Sequence, residues 1–187
     1  MSKEQYWEHI YRLRSELNDI VFAYWTEHSG FSSWQFWTVS AMLVLPIAWL
    51  WFAADRRRLF EIFFFGYTVH MLWSYTVTML DRYNLFVHQY AVIPTLPFGL
   101  SITASIFPVS FLLLYQHCTD REKNFPLYAV GVSAVFSFGF ANIERALGFL
   151  DMRGGMNSLY LLLIDLAIVF VAYGATKLVR SSVRRRT

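Results

Sequence analysis

Two acids and a base stand where the chain is otherwise apolar: Glu144 and Arg145 in the run FGFANIERALGF, and Asp165 in SLYLLLIDLAIVF. An unpaired carboxylate near the middle of a bilayer costs roughly 2.5–3.5 kcal/mol on insertion scales, so residues of this kind are kept for packing, for a hydrated cavity or for function. Three chemistries fit them. Glu144 or Arg145 can form a buried ion pair with Asp165 that fixes helix register. The group can line a polar cavity, open to the outside, for an ion, a proton or a small polar ligand. Glu144 and Asp165 can also act as acid and base, which requires environments that separate their proton affinities. Asn142, one position off the same helical sector, reaches either the pocket or the interface. One arginine offsets one acid, so the second acid needs a proton, water, or a partner such as Arg82 or His70. Asp81, Arg82 and His70 are therefore secondary candidates.

Other chemistry is poorly represented. His9, His28, His88 and His117 lie near segment ends, without a His-x3-His pair or HExxH, so no metal site is expected. Neither GxSxG, a P-loop nor GxGxxG occurs, and no cofactor is implied. Cys118 is the single cysteine, which excludes an intrachain disulfide and two-cysteine metal motifs. His70 has Ser74 one turn later, the arrangement of a hydrogen-bonded bundle residue or of a proton relay.

The elements that must position the acids follow from apolar periodicity. Of 187 residues, 56% are hydrophobic, 19% aromatic and 16% charged, against about 25% charged in an average soluble domain. The expected fold class is all-α: a polytopic transmembrane helical bundle of about five spans plus an N-terminal amphipathic helix. Windows near the ~20 residues that cross a bilayer occur at 32–54, 59–80, 97–116, 126–149 and 158–179. Trp34, Trp37, Trp49 and Trp51 mark both interfaces of the first. Pro46 and Pro108 are expected to kink the first and third. Ser101, Thr103, Ser105 and Ser110 should rebind the carbonyls that Pro108 frees.

In the fourth window Ser133, Ser137, Ala141 and Gly148 share a face, and small residues let helices approach closely. Glu144 and Arg145 lie in that sector, so the acids should face protein. At 1.5 Å per residue, Glu144 and Asp165 lie about 7 and about 10 Å below the outer ends of their helices, close enough in depth to meet. The longer connection at 81–95 reads as a solvated loop with an aromatic foot at Tyr83 and Phe86, or as a cap on the outer mouth.

Residues 1–30 form an amphipathic leader. Tyr6, Ile10, Leu13, Leu17, Ile20 and Tyr24 recur at spacings of four and three, widened by Trp7, Val21 and Trp25. It predicts a helix over 3–28 that lies on the membrane surface or across the bundle's ends, or one that pairs with a partner or a second copy. No cleavable signal peptide is expected in it. Counting basic residues beside the windows puts ten on one side, Arg56–Arg58 and Lys177 among them, and five on the other. That asymmetry predicts an outside N-terminus and a cytoplasmic C-terminus, with 181–187 as a basic tail.

From residue 70 to about 175 the layout resembles a family of small multi-spanning membrane proteins from spore-forming Gram-positive bacteria, of unassigned function. The likeness rests on PVSFLLLYQH, the charged turn TDREKNF, IER followed by LG, and GGMNS before the last helix. An acid tends to stand at the position of Glu144 there; the leader and Arg145 fall outside the likeness. It implies a helical bundle in a bacterial plasma membrane without an assigned reaction.

The functional expectation is a non-enzymatic accessory or assembly component of the plasma membrane that acts through helix interfaces. Its partners would be the bilayer and a membrane protein or a second copy, and not nucleic acid. The alternative is a transporter or small-ligand-binding bundle using the polar cavity around Glu144, Arg145 and Asp165; an intramembrane enzyme comes third. A transporter built from inverted repeats normally has more spans, and no repeat is visible.

Overall fold

The structure is a computed structural model that describes residues 1–184, with side chains to residue 182. The basic tail at 181–187 thus lies largely outside the described residues. The chain is all-α apart from one pair of three-residue strands. In order, α1 (Lys3–Tyr24) runs through a π-helical turn (Trp25–Ser29) and a short linker into α2 (Trp34–Ala53) and α3 (Leu59–Arg82). Strand β1 (Phe86–His88) follows, then a π-helical stretch (Ile102–Ile106) leading into α4 (Phe107–Asp120). Next, α5 (Phe125–Ala134) continues through a third π stretch (Val135–Phe140) into α6 (Ala141–Ala146). Strand β2 (Leu150–Met152) and α7 (Ser158–Arg184) complete the described chain.

Four helices are long and apolar enough to cross a membrane: Trp34–Ala53, Ile102–Asp120, Phe125–Ala146 and Ser158–Ser182. The expected span at 59–80 becomes α3, at 24 residues long enough but less apolar. The reason is its position. α3 packs most heavily against α4 and α7 at the centre of the bundle, and there Glu61, His70 and Ser74 find protein partners. Its buried stripe is Ile62, Phe65, Gly66, Val69, Trp73 and Val77, spaced for one helical face. Gly66 is required by close approach, since a Cβ there would stand 2.7 Å from Leu112 Cδ1 on α4.

Hydrocarbon is as apolar as leucine, so packing and polar contacts must hold such helices together. Aromatic side chains supply much of that packing. Phe65 stacks on Tyr115 at 4.7 Å between centroids, Phe125 on Tyr173 at 4.6 Å, and Phe65 meets Phe125 edge-on at 5.5 Å, tying α3, α4, α5 and α7 together. Pairs of this geometry add about 0.5–1.5 kcal/mol each beyond area burial.

The hydroxyls near Pro108 act differently from expectation. Pro108 sits in the first turn of α4, where its missing N–H matters least, directly after a π stretch. Thr103 Oγ1 donates to the Gly99 carbonyl at 3.2 Å, but Ser105 Oγ donates across to Leu43 O of α2 at 2.7 Å, three residues before Pro46. The hydroxyl of one helix thus serves the backbone beside the proline of another.

α1 begins with a capping box, Ser2 and Gln5 each holding the other's backbone N–H. None of its 22 residues is buried. At its far end Ser29 is buried and exchanges hydrogen bonds with Ala91, and Trp25 Nε1 donates to Ala91 O at 2.9 Å. The leader is thus tied to the bundle at one end only.

Candidate functional site

The helix that carries Glu144 ends in a Schellman motif. Gly148, at φ +75°, donates to Arg145 O at 3.1 Å, and Phe149 N–H reaches back to Glu144 O at 2.7 Å. Gly148 therefore caps the helix; it does not pack on the small-residue face as expected. The reversal feeds β2, which pairs antiparallel with β1 in the register Phe86↔Met152, Val87↔Asp151 and His88↔Leu150. Within the connection at 81–95, the stretch 86–91 accordingly caps the bundle, while 81–84 stay exposed. Phe86, His88 and Ala91 are buried, while Tyr83 is exposed.

Beneath this cap lies a small cavity of about 20 Å³, lined among others by His88, Glu144, Thr103, Trp73, Phe136 and Phe140. A single water needs roughly 10–15 Å³ on this measure, so there is room for about one. Two of the three π stretches supply its walls: Thr103 belongs to one, Phe136 and Phe140 to the other. π-Bulges shift the residues that follow them on the helix and are frequent at functional sites.

His88 is 6% exposed and neither ring nitrogen has a hydrogen-bond partner. Burial pushes its imidazole down to about 4, so the ring is neutral at ordinary pH. Gly99 makes room for it, as a Cβ there would fall 2.6 Å from Nδ1. Across the cavity Glu144 is also 6% exposed, and no side-chain hydrogen bond or ion pair holds it among the described residues. His70, outside the cavity lining, binds Thr103 O through Nδ1 at 2.8 Å, with Ser74 Oγ at 3.3 Å from the same nitrogen. That is the hydrogen-bonded arrangement, and it braces the strand of backbone on which Thr103 sits.

Asp165 is fully buried one turn below Leu161, itself a cavity residue. One carboxylate oxygen accepts from Trp73 Nε1 at 2.9 Å; the other has no partner in hydrogen-bonding geometry, although Ser133 lies alongside. Trp73 thus presents its ring to the cavity and its N–H to Asp165.

The expected ion pair does not form. Glu144 turns inward with Ser133, Ser137 and Ala141, all buried, whereas Arg145 is exposed. Consecutive helical positions are rotated by about 100°, enough to put neighbours on opposite faces. Arg145 instead approaches Asn142 Oδ1 at 3.5 Å, and Asn142 Nδ2 binds Phe138 O and Ser158 Oγ on the outer surface. No hydrogen bond joins Glu144 to Asp165, because Asp165 lies a turn below the cavity and is held by Trp73. Asp81 and Arg82 are exposed and neither pairs with the buried acids.

Sequence reasoning passed over two features. His88 stands in FVHQYAVI, whose run of aromatic and β-branched residues is unusually apolar for a loop and was the available signal. Glu61 is the other. Its Oε1 accepts from Tyr115 Oη at 2.6 Å, Arg58 Nη2 at 3.0 Å and Arg180 Nη1 at 3.1 Å, joining α3, α4 and α7.

In class, then, the described chain is an all-α bundle with four helices long and apolar enough to cross a membrane and a strand-paired cap over a small, mostly apolar cavity into which His88, Glu144 and Thr103 are set. No protein-family model, curated protein or solved structure matches it.

Proposed function

We propose that this is a non-enzymatic, multi-pass protein of a bacterial plasma membrane, an accessory or assembly component that works by helix contact, with α1 as the contacting element. The observation that carries this is α1 itself: Tyr6, Leu13, Leu17 and Ile20 lie along one side of a capped helix that buries none of its residues. An isolated amphipathic helix gains its stability from whatever covers that side. In this reading α3 is a fifth span. Arg58 pairs with Asp120, and Arg180 with Glu61, which favours five antiparallel helices with their most basic ends together in the cytoplasm. The N-terminus then lies outside. A photo-crosslinking residue placed at Leu13 or Leu17 in native membranes is expected to give a discrete protein adduct, and one at Ser15, on the opposite side of the helix, far less. Adducts with lipid alone from Leu13 and Leu17 would overturn the assembly reading and leave α1 a surface anchor.

A second reading has its own observation, since one cavity is lined by His88, whose two ring nitrogens are buried without a partner, and by Glu144, which makes no side-chain hydrogen bond or ion pair among the described residues. The volume limits the occupant to water or a proton, which supports a proton-binding role over carriage of a larger ligand. Proton flux in proteoliposomes that is abolished by Glu144→Gln, with folding intact, would favour it over the assembly reading.

A further inference from the structure

At the end of the bundle opposite the capped cavity, a second and larger cavity of about 410 Å³ opens between the start of α3 and the end of α7. Its polar wall carries Arg57, Arg58 and Arg180 with Glu61 and Thr176 among them, and its apolar wall Phe60, Phe64 and Val179. Phe60 is 78% exposed on a bundle whose neighbouring helices are long and apolar enough to sit in lipid. The cavity therefore has the two-sided chemistry of an amphiphile's boundary, guanidinium on one side and ring and methyl groups on the other.

The charge balance indicates the sign of its occupant. Arg58 and Arg180 share the single oxygen Glu61 Oε1, and Arg58 also reaches Asp120. Arg57 has no ion pair among the described residues; only its backbone N–H is engaged, by Asp55. Three guanidinium groups thus face two carboxylates; of five N–H donors each, Arg58 uses three, on Asp120, Glu61 and Thr119, and Arg180 one, on Glu61, while those of Arg57 have no acceptor among the described residues. The start of α3 adds to this. Arg58 occupies the N-cap position, and its side chain, a donor only, accepts from none of the first-turn N–H groups. Phosphate is the anion that planar, forked guanidinium donors fit best. Basic pockets between transmembrane helices on the cytoplasmic side are where anionic headgroups bind.

We propose that this cavity binds an anionic glycerophospholipid, with its phosphate on Arg57 and the free donors of Arg58 and Arg180 and an acyl chain along Phe60, Phe64 and Val179. Glu61 then acts as a spacer that keeps two of the arginines side by side, leaving Arg57 to recognise the charge. The inference does not depend on what α1 contacts.

The test is native mass spectrometry and thermal unfolding of the full chain in neutral detergent. The probes are phosphatidylglycerol, phosphatidylcholine with the same acyl chains, and inorganic phosphate. One molecule of phosphatidylglycerol is expected to survive on the protein and raise its melting temperature, with phosphatidylcholine much weaker and phosphate without effect. Arg57→Gln, which removes no ion pair, should leave the lipid-free melting temperature unchanged and weaken phosphatidylglycerol binding about fivefold, the scale of one basic residue near an anionic surface. Phe60→Ser should weaken it through the apolar wall. Equal retention of both lipids, or no loss in Arg57→Gln, would overturn the proposal; full stabilisation by phosphate alone would replace the lipid with a free anion.

Discussion

Glu61 and Glu144 are carboxyls of one residue type near opposite ends of one bundle, and the fold treats them in opposite ways. Glu61 is half-buried and its Oε1 takes three donors from three segments, with two cations beside it. Glu144 is nearly fully buried and has no cation, while the imidazole across its cavity is kept neutral by burial. Pairing of the first kind ties helices together, because removing one member strands the others. A carboxyl of the second kind adds no such tie, so its presence calls for a role that helix association does not supply. The polar groups of the two ends are thus of different kinds, a junction in which one carboxylate oxygen is shared by three donors and a chamber whose acid and imidazole have no side-chain partner.

The largest expected effect tests the chamber from the histidine side. Unfolded His88 titrates near 6.5 and folded His88 near 4, so between these values the unfolded chain binds the extra proton. This contribution is therefore full above pH 6.5 and falls away as pH drops toward 4, by on the order of 3 kcal/mol at about 1.4 kcal/mol per pH unit. Thermal unfolding in detergent from pH 7.5 to 4.5 should show the loss, and His88→Phe should flatten the profile. An unchanged profile would mean that the ring has a hydrogen-bond partner such as water.

Breaking the junction comes next. Glu61→Gln leaves Arg58 and Arg180 without a shared anion and Tyr115 with a weaker acceptor, and is expected to cost about 2 kcal/mol. The figure is held below that of a fully buried pair because the Glu61 side chain is 20% exposed. Melting temperatures of wild type and variant at low and high salt would check both size and screening.

Between the two ends stands Trp73. Trp73→Phe removes the donor to Asp165 and is expected to cost about 1–3 kcal/mol, since a buried acceptor loses its partner. Adding Asp165→Leu should restore part of the loss; strictly additive effects would show that the bond contributes nothing.

The smallest expected effect sharpens the comparison most. Glu144→Gln keeps shape and breaks no hydrogen bond or ion pair, so it should not lower stability at pH 7: a buried carboxyl without a partner has no bond to lose. A loss as large as that of Glu61→Gln would show that the two acids are alike after all.

Some of this was legible without coordinates. The 4-and-3 spacing of the leader, the inward face of Ser133, Ser137 and Ala141, and the apolar windows are one-dimensional patterns, and the helices follow them. The pairing of Glu144 with Arg145 and Asp165 was not legible. It depended on rotation about the helix axis and on axial offset, and a shift of one residue or one turn undoes a contact that spacing alone allows. His88 was hidden for a related reason, because three residues of strand acquire meaning only beside the three that pair with them.

By itself the sequence determined the all-α class, the amphipathic leader and an acid on the inner face of the fourth apolar window. These depend on composition and helical period, which act within about a turn of each residue. Tertiary structure alone decided which ionisable groups would be shared and which left alone. Glu61 and Arg180 are 119 residues apart, and Arg58, Glu61, Tyr115 and Arg180 meet only because the ends of three helices, α3, α4 and α7, come together. Glu144 sits without a side-chain partner where its helix closes on Gly148 and the chain folds a strand over the helix end, with His88 across the same small cavity.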